Sequence, residues 1–175
     1  MKLKMMPVLL IVAGMASAAE ADLSQVVQAE RWQTIECSAK GFEFEGKPAL
    51  QIDFPIDHKK GEPKYLIGWP RAFFTTRTTE ADWSGAKKLE IKVRPDFTGT
   101  TQKILVVFQF FYEDAEPKRT KFIFPLQNGR TQIVTIDLAK LPSRNIERIG
   151  LVVRESDYKH GEDLKLTVIG YKLLK

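Results

Sequence analysis

The chain has 175 residues, 27 basic and 22 acidic side chains, and a formal net charge of +5 at pH 7. Acidic residues are interspersed among the basic ones, and no run of about five like charges occurs. Nucleic-acid binding needs a concentrated basic face, so this composition argues against it. The single cysteine excludes an internal disulfide, so burial of apolar side chains must hold the fold together.

Residues 1–18 have the three-part layout of a secretory signal. Two lysines give a positive start, an apolar segment follows at 7–14, and Ala-Ser-Ala at 16–18 is a small-residue cleavage site. The apolar segment is shorter than the about 20 residues that a membrane-spanning helix needs. We therefore expect a periplasmic or secreted protein that has no membrane association after cleavage, with one domain over residues 19–175.

Beyond this segment, apolar residues recur at every second position, which is the period of a β-strand. Only residues 23–32 suit a brief helix, and a non-helical entry segment is the alternative there. Strands are predicted over 49–54, 89–93, 104–112, 121–124, 132–138, 149–153 and 164–174. Prolines at 55, 95 and 125 are expected to end three of these strands.

Turns separate the predicted strands. Residues 127–130 (QNGR) suit a hairpin-like turn, and residues 137–142 (DLAKLP) suit a short helical turn closed by a proline. Several short strands at near-regular spacing predict an all-β sandwich or barrel. No internal repeat or linker divides the chain, so a single domain is expected.

The stretch 82–95 (DWSGAKKLEIKVRP) places Trp83 between an acid and a Ser-Gly turn. Gly85 lets the backbone reverse, and the large apolar area of the indole can fix such a turn to a core. We predict that Trp83 is a buried peg and not a platform for a ligand. Trp32 and Tyr112 are also expected to pack in the core or at its edge.

Four motifs follow one another in a recognisable order: G-W-P-R at 68–71, D-W-S-G at 82–85, I-D-L-x-x-L at 136–141 and I-x-x-I-x-L at 146–151. Over roughly residues 40–173 this order resembles the jelly-roll sandwich of the galactose-binding-like superfamily, which includes many carbohydrate-binding modules of exported bacterial proteins. The resemblance implies an antiparallel β-sandwich of jelly-roll topology, with a carbohydrate as the partner.

Sugar recognition pairs an aromatic ring, which stacks on the sugar, with forked polar groups that bind its hydroxyls. Trp69 and Arg71 fit this pattern, although a core tryptophan beside a solvated arginine fits equally well. Gln109 is the one polar residue in strand 104–112, and its amide either bonds a neighbouring strand or faces a cleft. Arg154 either reaches the same surface or is a plain surface arginine.

Catalytic and metal-binding patterns are lacking in the sequence. It has no histidine pair at metal spacing, no G-x-S-x-G motif and no Gly-rich phosphate loop. Cys37 is expected to be a buried small hydrophobe. Some members of the superfamily bind a structural calcium, but the closing segment 166–171 has no acid, so we predict no metal and no cofactor.

These observations favour a non-catalytic domain that binds a carbohydrate. The alternative is a structural or protein-interaction β-sandwich that binds no small ligand. A hydrolase acting through a pair of carboxylates is a third hypothesis, since acidic residues are plentiful, but no motif singles out such a pair.

Overall fold

A computed structural model of the protein describes residues 23–58 and 69–175. The predicted signal segment at 1–18 lies outside them. The described residues form ten strands and one short helix. They are β1 (Trp32–Ile35), β2 (Ser38–Phe44), β3 (Lys47–Pro55), β4 (Arg71–Thr75), α1 (Thr78–Ala81), β5 (Lys88–Phe97), β6 (Lys103–Phe111), β7 (Arg119–Gln127), β8 (Gln132–Asp137), β9 (Arg148–Val152) and β10 (Asp163–Leu174).

Two five-stranded sheets pack face to face. Sheet 1 has the order β1-β4-β9-β6-β7, and sheet 2 has the order β2-β3-β10-β5-β8. Every strand pair is antiparallel. The prediction of an all-β antiparallel sandwich with jelly-roll topology is therefore confirmed.

The core lies between the two sheets and explains the period-two pattern of the sequence. In β6 the even-numbered residues from Ile104 to Phe110 are completely buried, and in β5 Leu89, Ile91 and Val93 are equally buried. Alternate side chains of a strand point to opposite faces, so one half of each strand supplies the core. Burying each such side chain contributes roughly 1.5–3 kcal/mol.

Two predicted strand ends are wrong, because the strands continue through their prolines. β5 runs through Pro95 to Phe97, and β7 runs through Pro125 to Gln127. The carbonyl of Pro95 accepts a hydrogen bond from Gly129 (2.7 Å), so its nitrogen also points away from β10 and no ladder bond is lost. β7 is an edge strand, where proline is tolerated.

The helix considered for residues 23–32 does not form. Two short 3₁₀ turns, Ser24–Val27 and Ala29–Arg31, lead into β1, as the alternative of an entry segment predicted. Leu23 and Val26 are buried, and the indole nitrogen of Trp32 donates to the carbonyl of Val26 (2.8 Å). These contacts fix the segment against the sandwich without a regular helix.

The predicted turn at 127–130 is present, with Gly129 at a φ of 70°. It is not a hairpin, because it joins β7 of sheet 1 to β8 of sheet 2. The helical turn predicted after β8 is also present, as a 3₁₀ turn over Leu138–Lys140. The carboxylate of Asp137 accepts the backbone N–H of Ala139 (2.9 Å) at its start.

Trp83 is buried, as predicted. Its side chain is 1 % exposed, its indole nitrogen donates to the carbonyl of Glu80 (2.8 Å), and its ring meets Phe110 edge-on at 5.9 Å. Trp32 and Tyr112 are buried as well. The D-W-S-G turn is therefore a structural element of the core.

Candidate functional site

The outer face of sheet 1 is the side that points away from the core. It carries the odd-numbered residues of β4 and β6 and the even-numbered residues of β9, because the alternate residues of these strands fill the core. Strand pairing aligns these outward positions in rows. One row contains Phe73, Gly150 and Gln109, and the row beside it contains Arg71 and Val152.

Trp69 and Arg71 lie at the start of β4. Trp69 is 51 % exposed, so the alternative of a core tryptophan is wrong. Its backbone N–H donates to the carboxylate of Glu36 (2.7 Å), and its carbonyl accepts from Nη1 of Arg71 (3.3 Å). The main chain that carries the indole is thus fixed at two points, while much of the ring faces solvent.

Arg154 follows β9 near the same end of sheet 1. The N–H of Val153 donates to the carbonyl of Pro70 (3.2 Å), so the pairing of β4 with β9 extends beyond the assigned strands. The guanidinium of Arg154 is exposed and lies 3.7 Å from the carboxylate of Asp157. An exposed ion pair of this kind contributes little to stability, so Arg154 is free to exchange it for another partner.

Gln109 lies in the middle of the outer face and is only 5 % exposed. Its amide forms no hydrogen bond with any residue in the described ranges 23–58 and 69–175. The neighbouring Gly150 brings other side chains close to it. A Cβ on Gly150 would lie 3.0 Å from the ring of Phe73 and 3.3 Å from the Cβ of Gln109. Gln109 is therefore largely buried, and its amide has no hydrogen-bond partner among the described residues.

Sequence reasoning missed a cluster of arginine and phenylalanine side chains on this face. The guanidinium of Arg148 lies 4.8 Å from the ring centre of Phe73 and 4.3 Å from that of Phe111. The two rings meet edge-on with their centres 5.8 Å apart, and the guanidinium of Arg119 lies 5.8 Å from the ring centre of Phe111. Distances of this size are typical of cation–π contacts. We call these four residues the arginine–phenylalanine cluster.

The described part of the chain gives no partner to Nε of Arg148, which is buried. The alternation of strand 104–112 already placed Phe111 on the same side of the sheet as Gln109. This was the one feature of the sequence that pointed to the cluster. The positions of Phe73 and Arg148 follow from strand pairing between segments far apart in sequence, which no local pattern reveals.

Cys37 lies at the connection between β1 and β2, next to the start of β4. It is half-buried, and its Sγ contacts the carbonyl of Arg71 at 3.3 Å. Burial raises the pKa of its thiol to about 11. The thiol is therefore protonated at neutral pH and is a poor nucleophile. A depression of about 430 Å³ adjoins it, with Asp53 and Lys165 in its lining.

Within residues 23–58 and 69–175, histidine, cysteine and acidic side chains do not gather in groups of three or more with a geometry that would hold a metal ion. Among the same residues, no helix has both the length and the apolar character required to cross a membrane.

Comparison with known proteins gives structural neighbours but no sequence relatives. No family model matches the chain, and no curated protein matches it in sequence. A family 11 carbohydrate-binding module from Clostridium thermocellum, solved with a β-1,3-1,4-mixed-linked tetrasaccharide, superposes with a TM-score of 0.56 at 11 % identity, over 82 % of this chain and 88 % of that one.

Two other solved structures are similar. A family 28 module specific for non-crystalline cellulose gives a TM-score of 0.54 at 13 % identity, over 83 % of this chain and 88 % of that one. An exo-β-agarase gives 0.54 at 11 % identity, over 83 % of this chain but 23 % of the enzyme. At such low identity these likenesses show the fold, a β-sandwich shared with carbohydrate-binding modules.

Proposed function

We propose that this chain is an exported, non-catalytic domain that binds a carbohydrate on the outer face of sheet 1. Trp69 is the stacking ring, and Arg71, Gln109 and Arg154 are the polar contacts. The observation that carries the proposal is the 51 % exposure of Trp69 beside a sheet face that holds an amide with no partner in the described structure. Export rests on the layout of residues 1–18, and the sugar class is supported by the shared fold.

The geometry suits recognition by a rigid surface. Exposing a large aromatic ring to water is unfavourable, and a sugar that stacks on the indole removes apolar area from water. The hydrogen bond from the backbone of Trp69 to Glu36 fixes the ring's support before any ligand arrives. A support that is already ordered lowers the entropic cost of binding. Gln109 offers both donors and an acceptor to hydroxyl groups.

Substitution of Trp69 by alanine tests the proposal. We expect Trp69→Ala to weaken glycan binding about fivefold or more, because one stacked aromatic contact contributes about 1 kcal/mol or more. The melting temperature should change by less than about 2 °C, because surface substitutions usually alter stability by under 0.5 kcal/mol. Affinity electrophoresis and calorimetry against soluble plant, algal and bacterial polysaccharides measure the first effect, and thermal unfolding measures the second.

Phe42→Ala is the matched control, since Phe42 is a 41 % exposed aromatic residue on β2 of the opposite sheet. Its loss should leave glycan binding unchanged. Equal losses of affinity in the two variants, or a large fall in melting temperature for Trp69→Ala, would contradict the assignment of Trp69 to a ligand site.

A protein partner is the second candidate function, and one observation favours it. Ile123 is 58 % exposed and Leu105 is 38 % exposed, on neighbouring strands of the same outer face. Apolar side chains exposed next to each other are typical of protein contact surfaces. A pull-down that recovers one stoichiometric protein, with no effect of added sugar and no binding to any glycan, would favour this function over carbohydrate binding.

A further inference from the structure

The five strands of sheet 1 carry basic residues and no acidic ones. Their sequences contain no aspartate and no glutamate. The basic residues are Arg71, Lys103, Arg119, Lys121 and Arg148. All of them occupy outward positions, in register with outward neighbours such as Gln109 and Phe111. Within the described residues, none of these five side chains forms an ion pair.

Sheet 2 provides an internal comparison. Every one of its strands includes an acidic residue, with Asp53 on β3 and Asp96 on β5 as examples. These acids neutralise nearby cations: Lys40 lies 3.5 Å from Asp53, and Arg94 lies 3.1 Å from Asp96. The fold therefore separates the interspersed charges of the chain, and leaves the strands of sheet 1 with cations alone.

Unpaired cations on one face repel each other, which costs stability and creates a positive field. A bound anion offsets this repulsion, and complementary charge also speeds association. The cations are spread widely. Three steps of about 4.8 Å separate β4 from β7, so Arg71 and Lys121 lie on strands about 14 Å apart. A ligand with repeated negative charges suits this distribution better than a single ion does.

The arginine–phenylalanine cluster adds an ordered guanidinium, that of Arg148, to this positively charged face. Phe73 and Phe111 hold the guanidinium of Arg148 between them, so its side chain is ordered before binding. Its terminal nitrogens form no hydrogen bond with the described residues, and its Nε is buried without a partner there. A planar guanidinium pairs with the two oxygens of a carboxylate or of a sulfate group. Gln109 lies beside this cluster, in the same row as Phe73, and its amide is also uncommitted.

From these observations we infer that the carbohydrate is an acidic glycan, whose uronate carboxylates or sulfate esters are bound by Arg148 and the other cations of this face. The inference rests on the proposed function and adds the chemical class of its ligand. Nucleic acid is also a polyanion. Polysaccharide is favoured over it by the exposed Trp69, by the expected export and by a fold shared with modules solved on sugars.

The test measures binding of the mature protein to polygalacturonate, alginate and κ-carrageenan, with carboxyl-reduced polygalacturonate and desulfated carrageenan as neutral counterparts and duplex DNA as a separate arm. We expect at least tenfold tighter binding to a carboxylated or sulfated polymer than to its neutral counterpart, and a loss of affinity as salt is raised. The carboxylated and sulfated arms distinguish the two sources of anionic groups.

Variants assign the effect to the basic face. Arg148→Gln and Arg119→Gln should each weaken binding to the acidic polymer about tenfold. Arg148→Lys should weaken it nearly as much as Arg148→Gln, because lysine keeps the positive charge but lacks the planar guanidinium that pairs with two oxygens. Lys92→Gln is the matched control, since Lys92 is an exposed lysine on β5 of sheet 2. Arg119 is exposed at the sheet edge, so its variant reports on binding even if Arg148→Gln proves unstable.

The outcomes separate the two proposals. Binding to neutral glycans with no preference for their acidic forms would overturn the acidic ligand and leave the carbohydrate function standing. No binding to any glycan would overturn both. Tighter binding to DNA than to every polysaccharide, lost in Arg148→Gln, would make the face a nucleic-acid surface. If Lys92→Gln lost as much affinity for the acidic polymer as Arg148→Gln, binding would depend only on the net charge of the protein, and the inference would be overturned.

Discussion

Replacing Trp83 by alanine is expected to lower the free energy of unfolding by about 3–5 kcal/mol, one of the largest effects of any single substitution in this chain. The side chain is 1 % exposed and contacts Phe110, which is itself completely buried. Its removal leaves a cavity between the turn and the core, and the carbonyl of Glu80 loses the indole donor. Urea and thermal unfolding measure the loss, which corresponds to a fall in melting temperature of about 6–20 °C for a domain of this size.

Two variants make this prediction specific. Trp83→Phe keeps an aromatic ring near Phe110 but removes the indole N–H, so it should cost less, about 1–3 kcal/mol. Trp69→Ala removes the same chemical group from an exposed position and should cost under about 0.5 kcal/mol. If Trp83→Ala and Trp69→Ala had equal effects on unfolding, the contrast between a core peg and a surface ring would be wrong.

The strands that sequence predicts best are those with one face in the core. β5 and β6 alternate between buried and outward positions, so their apolar residues show the period directly. β2 was not predicted, because most of its residues are exposed and it lacks a buried alternate set. β4 was missed for the opposite reason. Its Ala72, Phe73 and Phe74 are all buried, two toward the core and one on the outer face, so no alternation is visible.

The errors at Pro95 and Pro125 have one physical cause. Proline ends a strand only where its missing N–H would have bonded a neighbouring strand. Whether that group faces a partner depends on sheet order and register, which are set by contacts between distant segments. The nitrogen of Pro95 faces the turn at Gly129 and not a neighbouring strand, and Pro125 lies on the edge strand β7. Neither arrangement can be predicted from the residues that surround the proline in sequence.

The candidate site was predictable only in part. Strand parity placed Gln109 opposite the core, and the outward position of Gln109 agrees with that expectation. The charge pattern was less informative, because mixed signs along the chain suggested that no basic surface exists. Sheet pairing brings Arg71, Arg119 and Arg148 to one face and sends the strand acids to the other sheet. Charge clustering in this fold is a property of strand order.

The second large effect is expected at Glu80, which ties the entry segment to the helix α1. Glu80 is 3 % exposed, and Oε2 accepts hydrogen bonds from Nη2 of Arg31 (2.8 Å) and from the backbone N–H of Arg77 (2.6 Å). Glu80→Gln should cost about 3–5 kcal/mol at pH 7, because it leaves the largely buried guanidinium of Arg31 without its counter-charge. Urea unfolding measures this loss. Glu113→Gln, an exposed acid without an ion pair in the described structure, is the control and should cost less than about 0.5 kcal/mol.

The pH dependence of this difference identifies its electrostatic origin. Burial acts to raise the pKa of Glu80, but the hydrogen bonds and charge of Arg31 and the backbone of Arg77 outweigh it, so the pKa lies below the ordinary 4.5. A lowered carboxyl pKa stabilises the folded state at pH values above the ordinary value, and this contribution disappears as pH falls through the lowered value. The stability difference between the natural protein and Glu80→Gln should therefore be constant from pH 6 to pH 8 and shrink below about pH 4.5. A difference that stayed the same down to pH 3 would show that Glu80 acts by packing, and that its ion pair with Arg31 contributes little.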